Sequence, residues 1–359
     1  MLDMAGPWGT GPYQLVEGFS TPEKRADRVV FEAHTAYWDP TRRPRLQRIV
    51  FDNTRGQKEA VELVKTAEGQ VDLVTELSPL ETLRVAQSPF AQVVKNRGTL
   101  MTVFGFFNMR KADSPWRDLR LRRAVNLAIN REDLIRYAAK GNGGIIPALV
   151  PRQGFGYDPD LPAYPFDPGQ ARQLLHDAGY PTGLAVILLA SEDLAIQATV
   201  VGKMLEQVGF TVDLQLLDQV AFHQQTQVSA PAHLPAHQGW DIAVIAWPDG
   251  FNFPPLNIYH YFALNGPYAW GSELPELQQF HAQVLRTTDQ AQQQAVIRQM
   301  ERHTHTQAYF LFLYNPIQLY AVNKAVVFVP YVGGMLNLAE IAVTEQHWSV
   351  RKQKTLVQE

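Results

Sequence analysis

The sequence predicts an α/β fold, and three observations carry that expectation. Strand-like and helix-like segments alternate through the chain, the pattern of helices laid on a sheet. Residues 184–217 read strand, helix, strand, which predicts a parallel pair joined by a right-handed crossover. The run from Trp240 to Trp247 is apolar apart from Asp241 and has the length of a buried strand. With 359 residues, 46% of them hydrophobic and 19% charged, the chain is globular in composition and long enough for about two domains.

The elements follow in order. Residues 28–33 and 45–53 carry the β-branched and aromatic side chains of strands, with Pro40 and Pro44 punctuating between them. Ala60, Val61, Val64 and Ala67 recur at helical spacing over 57–68, and Gly69 suits a left-handed cap. A short strand is expected at 71–74, a helix at 79–86 and a strand at 99–108. Residues 117–139 form a basic helical stretch, broken near Asn130, with Leu121, Ala124, Val125, Ala128 and Ile129 as its stripe. Its excess of Lys and Arg reads as a solvated helix face rather than a nucleic-acid patch. Residues 141–168, rich in Pro and Gly, read as loop. Asp167, Pro168 and Gln170 stand at N-cap, N1 and N3 of a helix buried through Ala171, Leu174, Leu175 and Ala178 and stopped by Gly179. Then come strand 184–190, helix 193–208 ending at Gly209, strand 210–217, loop 229–238 and strand 240–247. Helices at 274–287 and 289–305 and strands at 308–314 and 317–322 complete the reading.

Composition excludes several function classes. There are 32 basic and 35 acidic residues, a net charge of -3, so the overall charge builds no field to hold nucleic acid or a membrane. With no cysteine, disulfides, thiolate zinc sites, iron–sulfur clusters and a lipidated cysteine are all excluded on this chain. The longest apolar runs, 184–190 and 308–314, fall far short of the roughly 20 residues of a membrane span, so no direct membrane insertion is expected. Residues 1–10 have neither the basic nor the apolar region of a signal peptide. His303 and His305 stand two apart on a helix and face away from each other, and His223, His233 and His237 read as solvated side chains near a loop, so no metal site is expected. No zinc-protease, nucleophile-elbow or phosphate-loop motif is present, and no carboxylate pair stands out as an acid–base couple. The chemistry reads as that of a binder, not an enzyme, with no cofactor.

The most suggestive local feature is the end of strand 240–247, which runs into Trp247, Pro248, Asp249, Gly250, Phe251, Asn252, Phe253, Pro254 and Pro255. In open α/β sheets ligands bind beyond the carboxyl ends of strands. There a Trp and a carboxylate can pack an apolar group and pair with an ammonium. The competing reading is a turn with a buried Trp, stabilised by Asp249.

Several segments match one family pattern in order. They are Gly9 to Tyr13; Tyr37, Trp38, Pro44 and Ile49, with His34 where Asn is usual; Gly69 to Asp72; Phe107, Asn108 and Pro115; and Arg122 to Leu134. Gly156 to Asp160, Asp167 to Pro181 and Tyr331 to Gly334 continue it. With these residues the chain resembles the extracytoplasmic solute-binding proteins of family 5, receptors of peptide- and nickel-type ABC importers. The resemblance implies a type II periplasmic-binding-protein-like fold of two lobes with a hinge. One lobe would comprise 1–109 plus 317–359 and the other 110–316, with hinge strands near Asn108 and Asn315. It implies a solute, a peptide foremost, held in the interlobe cleft by Asp249, Trp247, Asn108 and Phe106 without covalent chemistry. The implied partners are that small-molecule or peptide ligand and the permease subunits of an ABC importer. The receptor would be monomeric, extracytoplasmic or periplasmic, and would bind no nucleic acid.

Two departures qualify the pattern. The first is that Gly9 to Tyr13 normally sits well inside such chains. The export signal, the first strands of lobe one and the small extra domain are therefore expected to be missing, and a genuine start at Met1 would leave the chain cytoplasmic. That opens two alternatives, a cytoplasmic ligand-sensing or interaction module reusing the fold, or a non-functional fragment. The second departure is at the anchor. Peptide-binding members read Trp-x-x-Asp-x-x-x-Pro, whereas here Trp247 and Pro254 keep the spacing, Gly250 takes the Asp position and Asp249 lies one residue early.

Overall fold

The computed structural model describes residues 9–20, 26–111, 113–228, 239–264, 266–271 and 274–351. The chain divides into two compact units, one of residues 1–97 with 318–359 and one of residues 98–317. The first crossing therefore lies at Arg97–Gly98, ahead of the expected boundary after 109, and the return lies at Ile317–Gln318. The smaller unit opens with β1 (Tyr13–Glu17), β2 (Arg28–Ala33) and β3 (Arg48–Asp52), an antiparallel sheet in that order. Next come α1 (Gln57–Val64), β4 (Leu73–Val74), α2 (Thr82–Ala86) and β5 (Ala91–Asn96), a strand that the periodicity did not reveal. Helix α1 stops at Val64, short of the expected 68, and is capped at Lys65, so Gly69, although left-handed at φ +62°, is not its cap. A Cβ at Gly69 would collide with the Trp348 indole, so the glycine serves both the left-handed backbone and the close packing.

The larger unit begins with β6 (Met101–Phe107), α3 (Leu119–Ala128), α4 (Arg131–Ala138) and β7 (Gly143–Ile145). It continues with α5 (Pro168–Asp177), β8 (Leu184–Ser191), α6 (Ala195–Glu206), β9 (Phe210–Leu217) and α7 (Gln219–Thr226). It closes with β10 (Ile242–Pro248), α8 (Ile258–Phe262), α9 (Pro275–Arg286), α10 (Gln290–Thr306) and β11 (Phe310–Pro316). The expected loop at 229–238 lies outside the described residues. One six-stranded sheet, in the order β7-β11-β6-β10-β8-β9, organises the unit. As the periodicity predicts, β8 and β9 are parallel; β10 is parallel to β8 and antiparallel to β6. Because β6 pairs with both β10 and β11, residues 101–107 lie at the centre of this sheet and belong with the larger unit.

Both faces of that sheet are covered, which accounts for the unbroken apolar runs in its strands. Val103, Phe107, Leu188, Ile242, Val244 and Leu311 face one core with residues of α3, α4, α5 and α6. Phe104, Phe106, Leu189, Ala243, Ile245 and Phe312 face the other, with residues of α7, α8, α9 and α10. Asp241, the charged residue of the run 240–247, accepts the Ile187 N–H at 2.8 Å and pairs with Lys111 at 3.0 Å.

The basic stretch is not wholly solvated. Asn130 breaks it as expected and caps α4, its side chain accepting from the Asp133 N–H. Arg122 and Arg131, however, are buried. Arg131 donates to the carbonyls of Phe312, Asn126, Ile129 and Tyr164 and to Asn126 Oδ1. Arg122 donates to the carbonyls of Gln307, Trp116 and Arg117. They act as staples holding helix ends to the rest of the unit, because a guanidinium can satisfy several carbonyls at once.

The chain then returns to the smaller unit as β12 (Gln318–Asn323), which lies antiparallel between β4 and β5. The short strands β13 (Val326–Val327) and β14 (Ala342–Val343) pair near its end. Among the described residues no helix is long and apolar enough to cross a membrane.

Candidate functional site

Three parallel strands end at one edge of the larger unit, and the segments that follow them bring polar and aromatic side chains together there. Leu217 of β9 stands opposite Ser191 of β8, so those two carboxyl ends are level, whereas Val244 of β10 stands opposite Ala190, so β10 runs on past them to Pro248. Strand β8 runs into a short 3-10 turn at Glu192–Leu194, β9 into α7, and β10, whose last two residues are Trp247 and Pro248, into Asp249.

Trp247 is half-buried, and its indole is held rather than loose. Its Nε1–H donates to Asn257 Oδ1 at 2.7 Å, and its ring packs against Tyr261, Phe262 and Tyr268 at 5.2, 5.0 and 5.6 Å. The Tyr268 hydroxyl lies 2.9 Å from His223 Nδ1 on α7. Burial lowers the His223 pKa, and nearby Asp193 works in the opposite direction. Sequence reading placed His223 among solvated histidines; its position in the first turns after a parallel strand was the signal that it belonged to this edge.

Asp249 is only 2% exposed. Its Oδ1 accepts from the Phe251 N–H and from Asn257 Nδ2, each at 3.3 Å, and its own N–H donates to the Leu100 carbonyl at 3.0 Å. Burial pushes its pKa up, while N–H donors of Phe253, Phe251 and Asn252 and the Asn257 amide pull it down. Asn257 thereby links the indole to the turn, since its Nδ2 also donates to the Pro248 carbonyl at 3.1 Å. Gly250, at the position where the peptide-binding pattern has Asp, is exposed, and a Cβ built there meets nothing within 4 Å.

The other two expected residues lie inside. Phe106 packs edge-on against Trp240 at 5.4 Å and Phe262 at 5.3 Å, beneath the aromatic group around Trp247. Asn108 is fully buried; its N–H donates to the Asp241 carbonyl, and its side chain lies between the Trp240 carbonyl and the Arg110 N–H. A groove of about 440 Å³ runs elsewhere on the unit, between α4 and α6. Its charged groups are already engaged, Asp133 with Asn130 and Lys203 with Glu206, so it offers a ligand less than the strand edge does. Among the described residues no group of three or more His, Asp or Glu side chains is placed to hold a metal ion.

Comparison with known proteins fits this architecture. The model of the bacterial extracellular solute-binding proteins, family 5 middle, matches residues 2–270. The chain is 26% identical to the dipeptide-binding protein of Escherichia coli, over 53% of this chain and 33% of that protein. It is 25% identical to the glutathione-binding protein GsiB of Pectobacterium atrosepticum, over 86% of this chain and 58% of the relative. Among solved structures, the periplasmic binding protein DppA from Helicobacter pylori, in complex with the peptide STSA, superposes with a TM-score of 0.74 at 18% identity, over 93% of this chain and 63% of that one. These likenesses show the expected periplasmic-binding-protein fold, and the chain spans less than two thirds of the length of each of these relatives.

Proposed function

The chain belongs to the bacterial extracellular solute-binding proteins of family 5, and on that premise we propose that it binds a small solute, a peptide foremost, and delivers it to an ABC importer. The reading is of a receptor without covalent chemistry, working outside the cytoplasm. Two of the similar proteins are described by a dipeptide or a bound peptide, which is why peptides come first.

The observation that carries the reading is the held, half-buried Trp247 near the carboxyl end of β10, which projects past the level ends of β8 and β9. On this reading its ring is the apolar wall of the site, and Asp249 acts chiefly by fixing the turn that presents it. Phe106 supports the aromatic group from below, and Asn108 holds the exit of β6 against the entry of β10. Titration calorimetry with di- to pentapeptides tests this. Trp247→Ala is expected to weaken binding about tenfold or more, the loss typical of a buried aromatic contact. The reading fails if no peptide binds, and the site assignment fails if Trp247→Ala binds as tightly as the parent.

A further inference from the structure

The smaller unit carries a basic, aromatic loop that the solute-binding role leaves unused. Trp38 is 72% exposed, an unusual state for the largest apolar side chain. It is nevertheless held: its Nε1–H donates to the Thr10 carbonyl at 3.2 Å, and its ring leans on Tyr37 at 5.5 Å. Its indole N–H is thus satisfied within the chain, and what faces outward is apolar ring.

Arg42, Arg43, Arg45 and Arg48 follow within a few residues, and all four are exposed. The one acid between Trp38 and Arg48, Asp39, is spent on the turn, accepting from the Thr41 N–H at 2.8 Å and the Thr41 hydroxyl at 2.7 Å, with Arg42 at 3.9 Å. Arg48 stands opposite Glu32 in the β2–β3 ladder. Arg43 and Arg45 have no ion pair among the described residues. Pro40 and Pro44 stiffen the loop between them.

We propose that this loop docks the protein peripherally on a bilayer bearing anionic lipid headgroups, with Trp38 at headgroup depth and the guanidiniums on lipid phosphates. Trp favours that boundary, where one end of a side chain is wet and the other apolar. Guanidinium matches phosphate geometry, and each basic residue near an anionic leaflet adds to the attraction. A bilayer needs no shaped counter-surface, so one short loop with an exposed indole and exposed guanidiniums can dock on it. The chain's net charge of -3 makes the binding depend on this loop and not on the whole molecule.

Vesicle sedimentation of the full chain tests the proposal. Vesicles of phosphatidylcholine with about 30 mol % phosphatidylglycerol are expected to pellet the protein at low salt, pure phosphatidylcholine vesicles are not, and added salt should release it. Arg43→Glu with Arg45→Glu should cut the affinity by at least about fivefold per arginine. Trp38→Ala should weaken binding and remove the blue shift of emission that the parent shows on anionic vesicles. If Trp38→Ala melts early, the arginine pair, whose melting should match the parent, decides alone. Equal pelleting on both vesicle types, no pelleting on the anionic ones, or full retention by the arginine variant would overturn the proposal. So would complete displacement by millimolar inorganic phosphate, which would mark a single anion site, or Trp38-independent binding of polyglutamate equal to vesicle binding, which would mark a general acidic-partner patch.

Discussion

Glu301 is a carboxyl group sealed inside the larger unit, and it shows how one residue can set a pH dependence. It lies on the buried stripe of α10 with Ile297, Met300 and Thr304. Its Oε2 accepts the N–H groups of Leu149 and Val150 at 3.0 and 2.8 Å, and Tyr259 donates to Oε1. Burial raises its pKa from 4.5 to about 7, against the pull of those hydrogen bonds. A carboxyl with a raised folded-state pKa stabilises fully below its unfolded pKa, and that contribution is lost as pH rises through the folded pKa. Between about pH 4.5 and 7 the chain should therefore lose roughly 3 kcal/mol through this group. Glu301→Gln keeps an acceptor for the two N–H groups, so its thermal melting should vary less over that interval than the parent's; an unchanged pH profile would count against this role. Gly250 supports a second prediction. Because a side chain there has open space, Gly250→Asp should melt like the parent and bind α-amino peptides more tightly, by about tenfold in calorimetry. Unaltered binding would mean that this position does not reach the ligand.

At the scale of elements, local signals and long-range packing divided the work. Asp167 accepts the Gln170 N–H at 2.8 Å at the start of α5, and Asn130 caps α4, as their sequence positions predict, because a cap is satisfied by its own next turn. Strands β5 and β7 and helix α7 escaped sequence reading: β5 and β7 are edge strands, with mixed or exposed faces, and α7 is a short helix with a broken apolar stripe. The buried arginines were unreadable for another reason. Arg131 is held by carbonyls from α3, from β11 and from the 141–168 segment, which come together only in the fold. Removing that guanidinium strands several buried acceptors, so Arg131→Ala should lower the urea midpoint by an amount worth about 3 kcal/mol or more. Arg131→Lys should recover little, because one ammonium cannot reach acceptors that a planar fork spans. A loss below about 1 kcal/mol would show that water replaces the staple.

For the molecule as a whole, the chain's two crossings matter most. Residues 98–317 form a unit with its own two-sided core, and its ends are tied together by Asn315 Nδ2, which donates to the Thr99 carbonyl at 3.0 Å and to that of Met101 at 2.6 Å. That segment alone should express, give dispersed amide resonances and melt cooperatively; a molten or aggregated product would refute its independence. The smaller unit is made of two distant stretches, and no single segment of sequence could announce it. The sequence by itself determined the α/β class, the parallel β8–β9 pair, the break at Asn130 and the family, because periodicity, caps and motif order are local or ordered along the chain. Only the tertiary structure decided that β6 is a central strand of the larger unit and that Arg122, Arg131 and Glu301 lie inside. It also decided that Asp249 turns inward to hold its own loop. Those outcomes depend on which distant groups meet a side chain after folding, and burial and hydrogen-bond satisfaction are properties of that meeting rather than of the residue.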